Sequence, residues 1–153
     1  MKALKYSDIS LIPNYSEVYS RSDCDTSIKL FGRKYNLPII PANMKSVIDI
    51  KLSKWMSDND YFYIMHRFGI DNFEFIRQAN QENWKTISIS VGIKMNDKLL
   101  ITRIADQKNS HWGKLRLDFI TVDIAHGHCE RMKRMLKLIK NKLPNTKVIA
   151  GNV

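Results

Sequence analysis

Side chains able to bind a ligand stand where the apolar segments of this chain end. Each of five such segments is followed by polar residues or glycine: Asn43, His66-Arg67, Gly92, Asp123 with His126, and Gly151-Asn152. An arginine can hold a phosphate through two hydrogen bonds, and carboxylate or amide groups suit hydroxyls and carboxamides. This pattern is typical of the rim of a binding site, but ordinary surface loops are polar as well. The residue types alone leave both interpretations open.

Residues 126–130 hold a second group of reactive side chains: His126, His128, Cys129 and Glu130. Consecutive residues of one turn rarely converge on one ion, and no distant set of partners is evident, so we predict no metal site. Cys129 precedes a helical pattern, and the dipole of that helix would favour a thiolate. A nucleophilic Cys129 is therefore an alternative, although not the favoured one.

The elements that would position these residues are clearest in residues 118–153. Residues 119–125 are apolar and β-branched and predict a buried strand. Apolar residues then recur at helical spacing, with lysines and arginines between them: Met132, Met135, Leu136, Ile139 and Leu143. Pro144 ends that helix, and residues 148–153 predict a second strand. Strand, helix and strand in this order form a βαβ unit, whose strands are parallel.

The same alternation extends back to residue 37. Strands are predicted at residues 37–44, 61–67 and 86–93, with helical patterns at 48–56, 73–77 and 97–107. Residues 6–13 predict an N-terminal strand or arm, and residues 14–25 a polar surface loop. Five strands alternating with four helices predict one α/β domain, residues 1–153, with a parallel sheet. A doubly wound sheet and a barrel both satisfy this pattern, but the absence of a GxGxxG or P-loop motif after any strand weakens the dinucleotide-fold alternative.

The composition limits the class of protein. Of the 153 residues, 44% are hydrophobic and 26% charged, which is typical of a soluble globular domain. No apolar run approaches the ~20 residues of a membrane helix, and the first ten residues lack the apolar core of a signal peptide. The two cysteines, Cys24 and Cys129, are far apart and suggest no disulfide framework. We therefore expect a cytoplasmic protein without a membrane partner.

The net charge of +10 favours anionic partners, either nucleic acid or phosphorylated small molecules. The densest basic group falls on the polar side of the last predicted helix: Arg131, Lys133, Arg134, Lys137, Lys140 and Lys142. No nucleic-acid-binding motif accompanies it. A solvated outer face is therefore favoured over a nucleic-acid interface, and we predict no nucleic-acid partner.

Two motifs near the carboxyl end resemble the IMP dehydrogenase/GMP reductase family of (β/α)8 barrels. VDIAHGH at 122–128 and VIAGNV at 148–153 resemble the family's fourth and fifth strands, and their pairing across one helix is specific. YSDISLIPN at 6–14 resembles the family's opening arm. The resemblance implies a partial (β/α)8 TIM barrel with about five of eight parallel strands and an N-terminal arm, covering about half the family's length.

The resemblance also implies which residues bind ligands. The positions matching cofactor contacts are Ser20, Arg21, Arg67, Asp123, Ile124 and Ala125. In the family, the Ser-Arg pair and the basic position that matches Arg67 lie near the cofactor of a neighbouring subunit. The positions matching contacts with the purine nucleotide are Asn43, Met44 and Asn152. Packing in the core is the other interpretation of Met44, and Lys45 stands where the family usually has an acid.

Within the family, the chain resembles the GMP reductase branch. IMP dehydrogenases insert a regulatory domain after the second strand, whereas only about twenty residues separate Arg67 from the third strand here. The resemblance implies NADPH-dependent reductive deamination of GMP to IMP and ammonia, in purine nucleotide salvage. In that reaction a cysteine attacks the purine C2, ammonia leaves and hydride arrives at the same carbon.

The family's cysteine lies in a loop after strand six, and no residue here matches it, so we assign no catalytic residue. We expect the chain to be inactive without a C-terminal half, which a separate gene could encode. The resemblance also implies a homo-oligomer, because the intact family forms tetramers. The alternatives are an IMP dehydrogenase-like fragment and a non-catalytic remnant or interaction module.

Overall fold

The computed structural model describes residues 4–107 and 115–153. Its strands are β1 (Ile28–Leu30), β2 (Arg33–Tyr35), β3 (Ser88–Val91), β4 (Phe119–Val122) and β5 (Lys147–Ala150). Its helices are α1 (Ile50–Asp58), α2 (Asn72–Gln81), α3 (Met95–Asp106) and α4 (Glu130–Lys142). No helix in these two ranges combines the length and the apolar character needed to cross a membrane.

The central sheet is parallel, as the alternation of strands and helices predicts. Strands β3, β4 and β5 lie side by side in chain order, with Ser90 opposite Thr121 and Thr121 opposite Ile149. Helix α3 precedes β4 and α4 precedes β5, so each connection crosses from one end of the sheet to the other. The predicted βαβ unit of residues 118–153 is therefore confirmed.

Residues 61–67 were predicted as a strand, but they form only one bridge to the sheet, so that prediction is wrong. Met65 pairs in parallel with Ile89; its N–H donates to Ser88 O over 3.1 Å, and Ser90 N–H donates to Met65 O over 2.8 Å. The carbonyls that would continue the ladder accept side chains instead: Thr86 O accepts Tyr63 Oη over 2.8 Å, and Ser90 O accepts Asn72 Nδ2 over 3.1 Å. The segment nevertheless lies beside β3, where a second strand was expected.

The predicted strand at 37–44 is also wrong. Pro38 and Pro41 have no N–H to donate, which makes a continuous ladder impossible there. The segment starts next to residues 61–67, because Asn36 N–H donates to Asp60 O over 2.9 Å. The structure therefore shows a parallel α/β sheet of three strands, and closure into a barrel remains a prediction.

A hairpin of β1 and β2 was not predicted. These antiparallel strands are joined by Phe31 and Gly32, whose φ angles of 51° and 81° match the two-residue turn with positive φ at both positions. The ring of Tyr35 lies 5.3 Å from that of Phe62, which in turn lies 5.0 Å from that of Phe119. The hairpin thus covers one face of the sheet at the amino end of β4.

The two faces of the sheet differ in chemistry, because side chains alternate along a strand. One face packs against the helices through residues such as Val91, Ile120 and Ile139, all fully buried. The opposite face carries three buried hydroxyl groups: Ser88, Ser90 and Thr121. This second face therefore carries hydroxyl groups beside the apolar side chains of Phe119 and Ile149, and it leads to the carboxyl ends of the strands.

The N-terminal segment is an arm rather than a strand. Residues 4–25 contain two 3-10 turns, Tyr6–Asp8 and Arg21–Asp23, joined by extended chain. All of these residues are exposed, and the side chains of Leu11 and Tyr19 are fully so. Arm residues therefore add little to the core of this chain.

Candidate binding rim at the carboxyl ends of the strands

Arg67 and Asp123 meet across the end of β3. Arg67 Nη2 donates to Asp123 O over 3.3 Å, and its Nε lies 3.7 Å from Asp123 Oδ2. The second distance is too long for a hydrogen bond but close enough for an ion pair. Because β3 lies between residues 61–67 and β4, the arginine side chain must cross β3 to reach its partner. Folding thus joins two residues that are 56 positions apart.

The absence of a side chain at Gly92 leaves room for this crossing. A Cβ built on Gly92 would lie 3.4 Å from Arg67 Nη1 and 3.5 Å from its Cζ. It would also lie 2.9 Å from Asp97 Oδ2, closer than real Cβ contacts allow. The glycine that ends the third apolar segment therefore serves close approach rather than a special backbone angle.

The turn after β4 packs directly on the backbone after β5. Gly127 N–H donates to Asn152 O over 2.7 Å, and Gly151 N–H donates to Val122 O over 2.9 Å. Asn152 has a φ of 56°, a left-handed conformation that asparagine tolerates better than most residues. The two motifs that carry the resemblance are thus held together through main-chain atoms.

Comparison with known proteins identifies the family. The family model described as the IMP dehydrogenase / GMP reductase domain matches residues 3–153. The chain belongs to this family. A GMP reductase from Staphylococcus aureus (strain JH9) is 47% identical over 154 residues, and one from Acidovorax ebreus (strain TPSY) is 42% identical over 153 residues. Both alignments cover 100% of this chain and 45% of the relative.

A solved structure supports the same family. The crystal structure of inosine 5' monophosphate dehydrogenase from Legionella pneumophila matches with a TM-score of 0.76 and 28% identity. The match covers 99% of this chain and 45% of that one. The chain is therefore a GMP reductase homologue that spans the N-terminal part, about 45%, of the curated relatives it matches.

The other residues that the family resemblance singles out are dispersed. Ser20 and Arg21 lie on the exposed arm, where Ser20 N–H donates to Asp23 Oδ2 over 3.0 Å. Ile124 packs partly on the core next to Asp123, and Ala125 is exposed. The structure therefore joins Arg67 to Asp123 but does not bring the arm to them.

The two residues expected near the purine nucleotide in residues 37–44 differ in their surroundings. Met44 is 54% exposed, so core packing does not explain it. The Nδ2 atom of Asn43 is buried and has no hydrogen-bond partner among the residues that the structure describes. An unpaired buried amide is costly, and a polar ligand could satisfy it.

His66 follows an apolar segment of the sequence, but the family resemblance assigns it no ligand. Its side chain is only 5% exposed, and its Nδ1 accepts a hydrogen bond from Phe68 N–H over 3.1 Å. In the neutral imidazole the proton must then be on Nε2. The alternation of residues 61–67 beside β3 places this ring on the polar face of the sheet, next to Ser90. That alternation is the signal that could have found it.

Cys129 and its neighbours show no metal-binding geometry. Cys129 is the residue immediately before α4, it is half-buried, and its N–H donates to Gly127 O over 2.8 Å. Within residues 4–107 and 115–153, no three side chains of His, Cys, Asp or Glu are grouped closely enough to hold an ion. Neither histidine of this turn is therefore assigned as a ligand.

Proposed function

We propose that this chain forms the N-terminal part of a GMP reductase, which converts GMP to IMP and ammonia with NADPH. The observation that carries the proposal is the identity of 42% and 47% to proteins named GMP reductase, in alignments that cover the whole chain. We further propose that the protein acts in the cytoplasm in purine nucleotide salvage, as part of a homo-oligomer.

The described residues offer groups that fit both proposed ligands. Asp123 has carboxylate lone pairs beyond the contact with Arg67, and Arg67 has further N–H donors. These groups suit the hydroxyl and carboxamide groups of a nicotinamide nucleotide. The buried, unpaired Asn43 amide suits a polar purine. Met44 and Asn152 would complete the purine side, and Ile124, Ala125, Ser20 and Arg21 the cofactor side.

The chemistry is divided between this chain and residues outside it. NADPH, when bound, supplies the hydride. The residues of this chain bind and orient, through Arg67 and Asp123 on the cofactor and Asn43 and Asn152 on the purine. In our proposal the nucleophilic cysteine and the phosphate-binding loops come from C-terminal barrel units, either in the same polypeptide or in a separate one.

The test is complementation. We expect the purified 153-residue chain to bind NADPH, measured by fluorescence, without oxidising it when GMP is added. Co-expression with the part of the S. aureus GMP reductase that follows the matched region should restore GMP-dependent loss of NADPH absorbance. Asp123→Asn in this chain should lower that rate about 10- to 100-fold, since one hydrogen-bonding charge at a reacting cofactor contributes about 1.5–3 kcal/mol.

Three other outcomes identify the alternatives. A complemented enzyme that oxidises IMP with NAD and leaves GMP unchanged would assign the chain to the IMP dehydrogenase branch, to which the Legionella protein belongs. GMP-dependent NADPH loss by the chain alone, abolished by Cys129→Ser, would make Cys129 the nucleophile. Absence of nucleotide binding and of complementation would leave the non-catalytic interaction module.

A further inference from the structure

We infer that Asp97, in the first turn of α3, is a positioning residue: it holds the Gly92 backbone over which Arg67 crosses the end of β3 and, through Arg67, fixes Asp123. The hydrogen bonds that support this inference do not depend on the proposed function, whereas the choice of NADPH as the test ligand rests on it. Asp97 is not among the positions that the family resemblance singles out. It would act on the ligand only through its two neighbours.

Both carboxylate oxygens of Asp97 hold the turn between β3 and α3. Oδ1 accepts the Gly92 N–H over 2.8 Å, and Oδ2 accepts the Lys94 N–H over 2.8 Å. These are charge-assisted hydrogen bonds, roughly twice as strong as neutral ones. A carboxylate in the first turn of a helix is also favoured by the helix dipole. Asp97 therefore fixes the backbone of the one residue over which Arg67 crosses.

Arg67 and Asp97 face the same empty position at Gly92. The point where a Gly92 Cβ would stand is 2.9 Å from Asp97 Oδ2 and 3.4 Å from Arg67 Nη1. The guanidinium contacts the Asp123 carboxylate directly, whereas Asp97 acts on it through Gly92, whose backbone N–H it holds. It also lies 4.5 Å from the centre of the Phe68 ring. Its position is set by Asp123, by the Phe68 ring and by the backbone of Gly92.

Restraint of Arg67 passes to Asp123 because Arg67 Nη2 donates to the Asp123 carbonyl over 3.3 Å. The Asp123 N–H donates to Val91 O over 2.8 Å, so its backbone is fixed at both ends by groups beside β3. Loss of the negative charge at Asp97 would weaken its hydrogen bond from Gly92 N–H and loosen the turn over which the guanidinium lies. The Asp123 carboxylate would then no longer be held in one orientation.

A mutant cycle separates positioning from simple helix capping. Asp97→Asn keeps the shape of the side chain but removes its charge and one of its two acceptors. We expect it to weaken NADPH binding by the 153-residue chain about fivefold, and by less than twofold when Arg67→Ala is already present. Asp49→Asn is the matched control, because Asp49 also caps a helix, accepting Leu52 N–H over 2.7 Å, but α1 is elsewhere. It should change NADPH binding less than twofold.

Amide hydrogen exchange gives a readout that needs no ligand. In Asp97→Asn we expect the Gly92 or Lys94 amide to exchange about tenfold faster, and the Asp123 amide to lose protection as well. If the parent chain neither binds NADPH nor is complemented, the proposed function fails, and the exchange at Asp123 alone decides the inference. Two results would overturn the inference and leave Asp97 only as a helix cap. One is an equal loss of NADPH affinity with and without Arg67. The other is faster exchange at Gly92 and Lys94 with no change at Asp123.

Discussion

Gly127→Ala should destabilise the chain more than any other single-methyl addition in the turn after β4. The new Cβ would overlap Gly151 O and lie 2.7 Å from Asn152 O and 2.8 Å from Asn152 C. All three are backbone atoms, which cannot rotate away as a side chain can. Relief of the overlap requires the two backbones to separate, which breaks the hydrogen bond from Gly127 N–H to Asn152 O.

The size of the effect follows from these two losses. Overpacking against rigid atoms costs about 1–3 kcal/mol, and the lost backbone hydrogen bond about 1 kcal/mol. We therefore expect the free energy of unfolding to fall by about 2–4 kcal/mol. With a urea dependence of about 2 kcal/mol/M, the midpoint of unfolding should fall by about 1–2 M.

Urea unfolding followed by tryptophan fluorescence measures this difference. His128→Ala is the control, because this neighbouring side chain is exposed and its loss should change stability by less than about 0.5 kcal/mol. A Gly127→Ala chain that unfolds within 0.5 M of the parent, with the Gly127 amide still protected from exchange, would refute the close-packing interpretation of this turn.

Three further predictions concern stability measured in urea. Ile120→Ala, at a fully buried position of the central strand, should lower the free energy of unfolding by about 3–4 kcal/mol, against less than about 1 kcal/mol for Ile40→Ala, which is 45% exposed. Tyr63→Phe should cost about 1–2 kcal/mol, because the buried hydroxyl donates to a backbone carbonyl over 2.8 Å; an unchanged midpoint would contradict this. The hydrogen bond from Trp84 lowers the pKa of Glu82 below its ordinary value of 4.5. The Glu82 carboxylate therefore stabilises the fold above pH 4.5, and this stabilisation is lost as the pH falls through the lower pKa of the folded state. The parent should therefore be more stable than Glu82→Gln near neutral pH and converge with it in acid; a constant difference between pH 7 and pH 3 would count against that linkage.

The sequence by itself determined the elements whose signals are local. Residues 118–153 form the predicted strand, helix and strand. The apolar runs supply buried strands, and the apolar residues at helical spacing give the helix one buried face. Four helices fall where periodicity places them. The sequence also placed Arg67, Gly92, Asp123 and Asn152 at the ends of apolar segments, because polar residues follow buried ones in parallel sheets.

Some signals were present in the sequence but were outweighed. Pro38 and Pro41 already argue against a paired strand at residues 37–44, despite the apolar residues around them. The hairpin had a glycine in its turn, but each strand has only three residues, too short a run for alternation to show. In both segments, two local signals in the sequence point to different structures.

Only the tertiary structure decided which backbone groups and side chains meet. The Ser90 carbonyl accepts the side-chain amide of Asn72, 18 positions away, instead of a backbone N–H that would extend the pairing of residues 61–67 with β3. The crossing of Arg67 to Asp123 depends on the order of the strands and on free space over Gly92. Spacing along a chain does not encode such contacts, because each hydrogen-bond donor has several possible partners. Which partner it contacts depends on distances between elements that lie far apart in sequence.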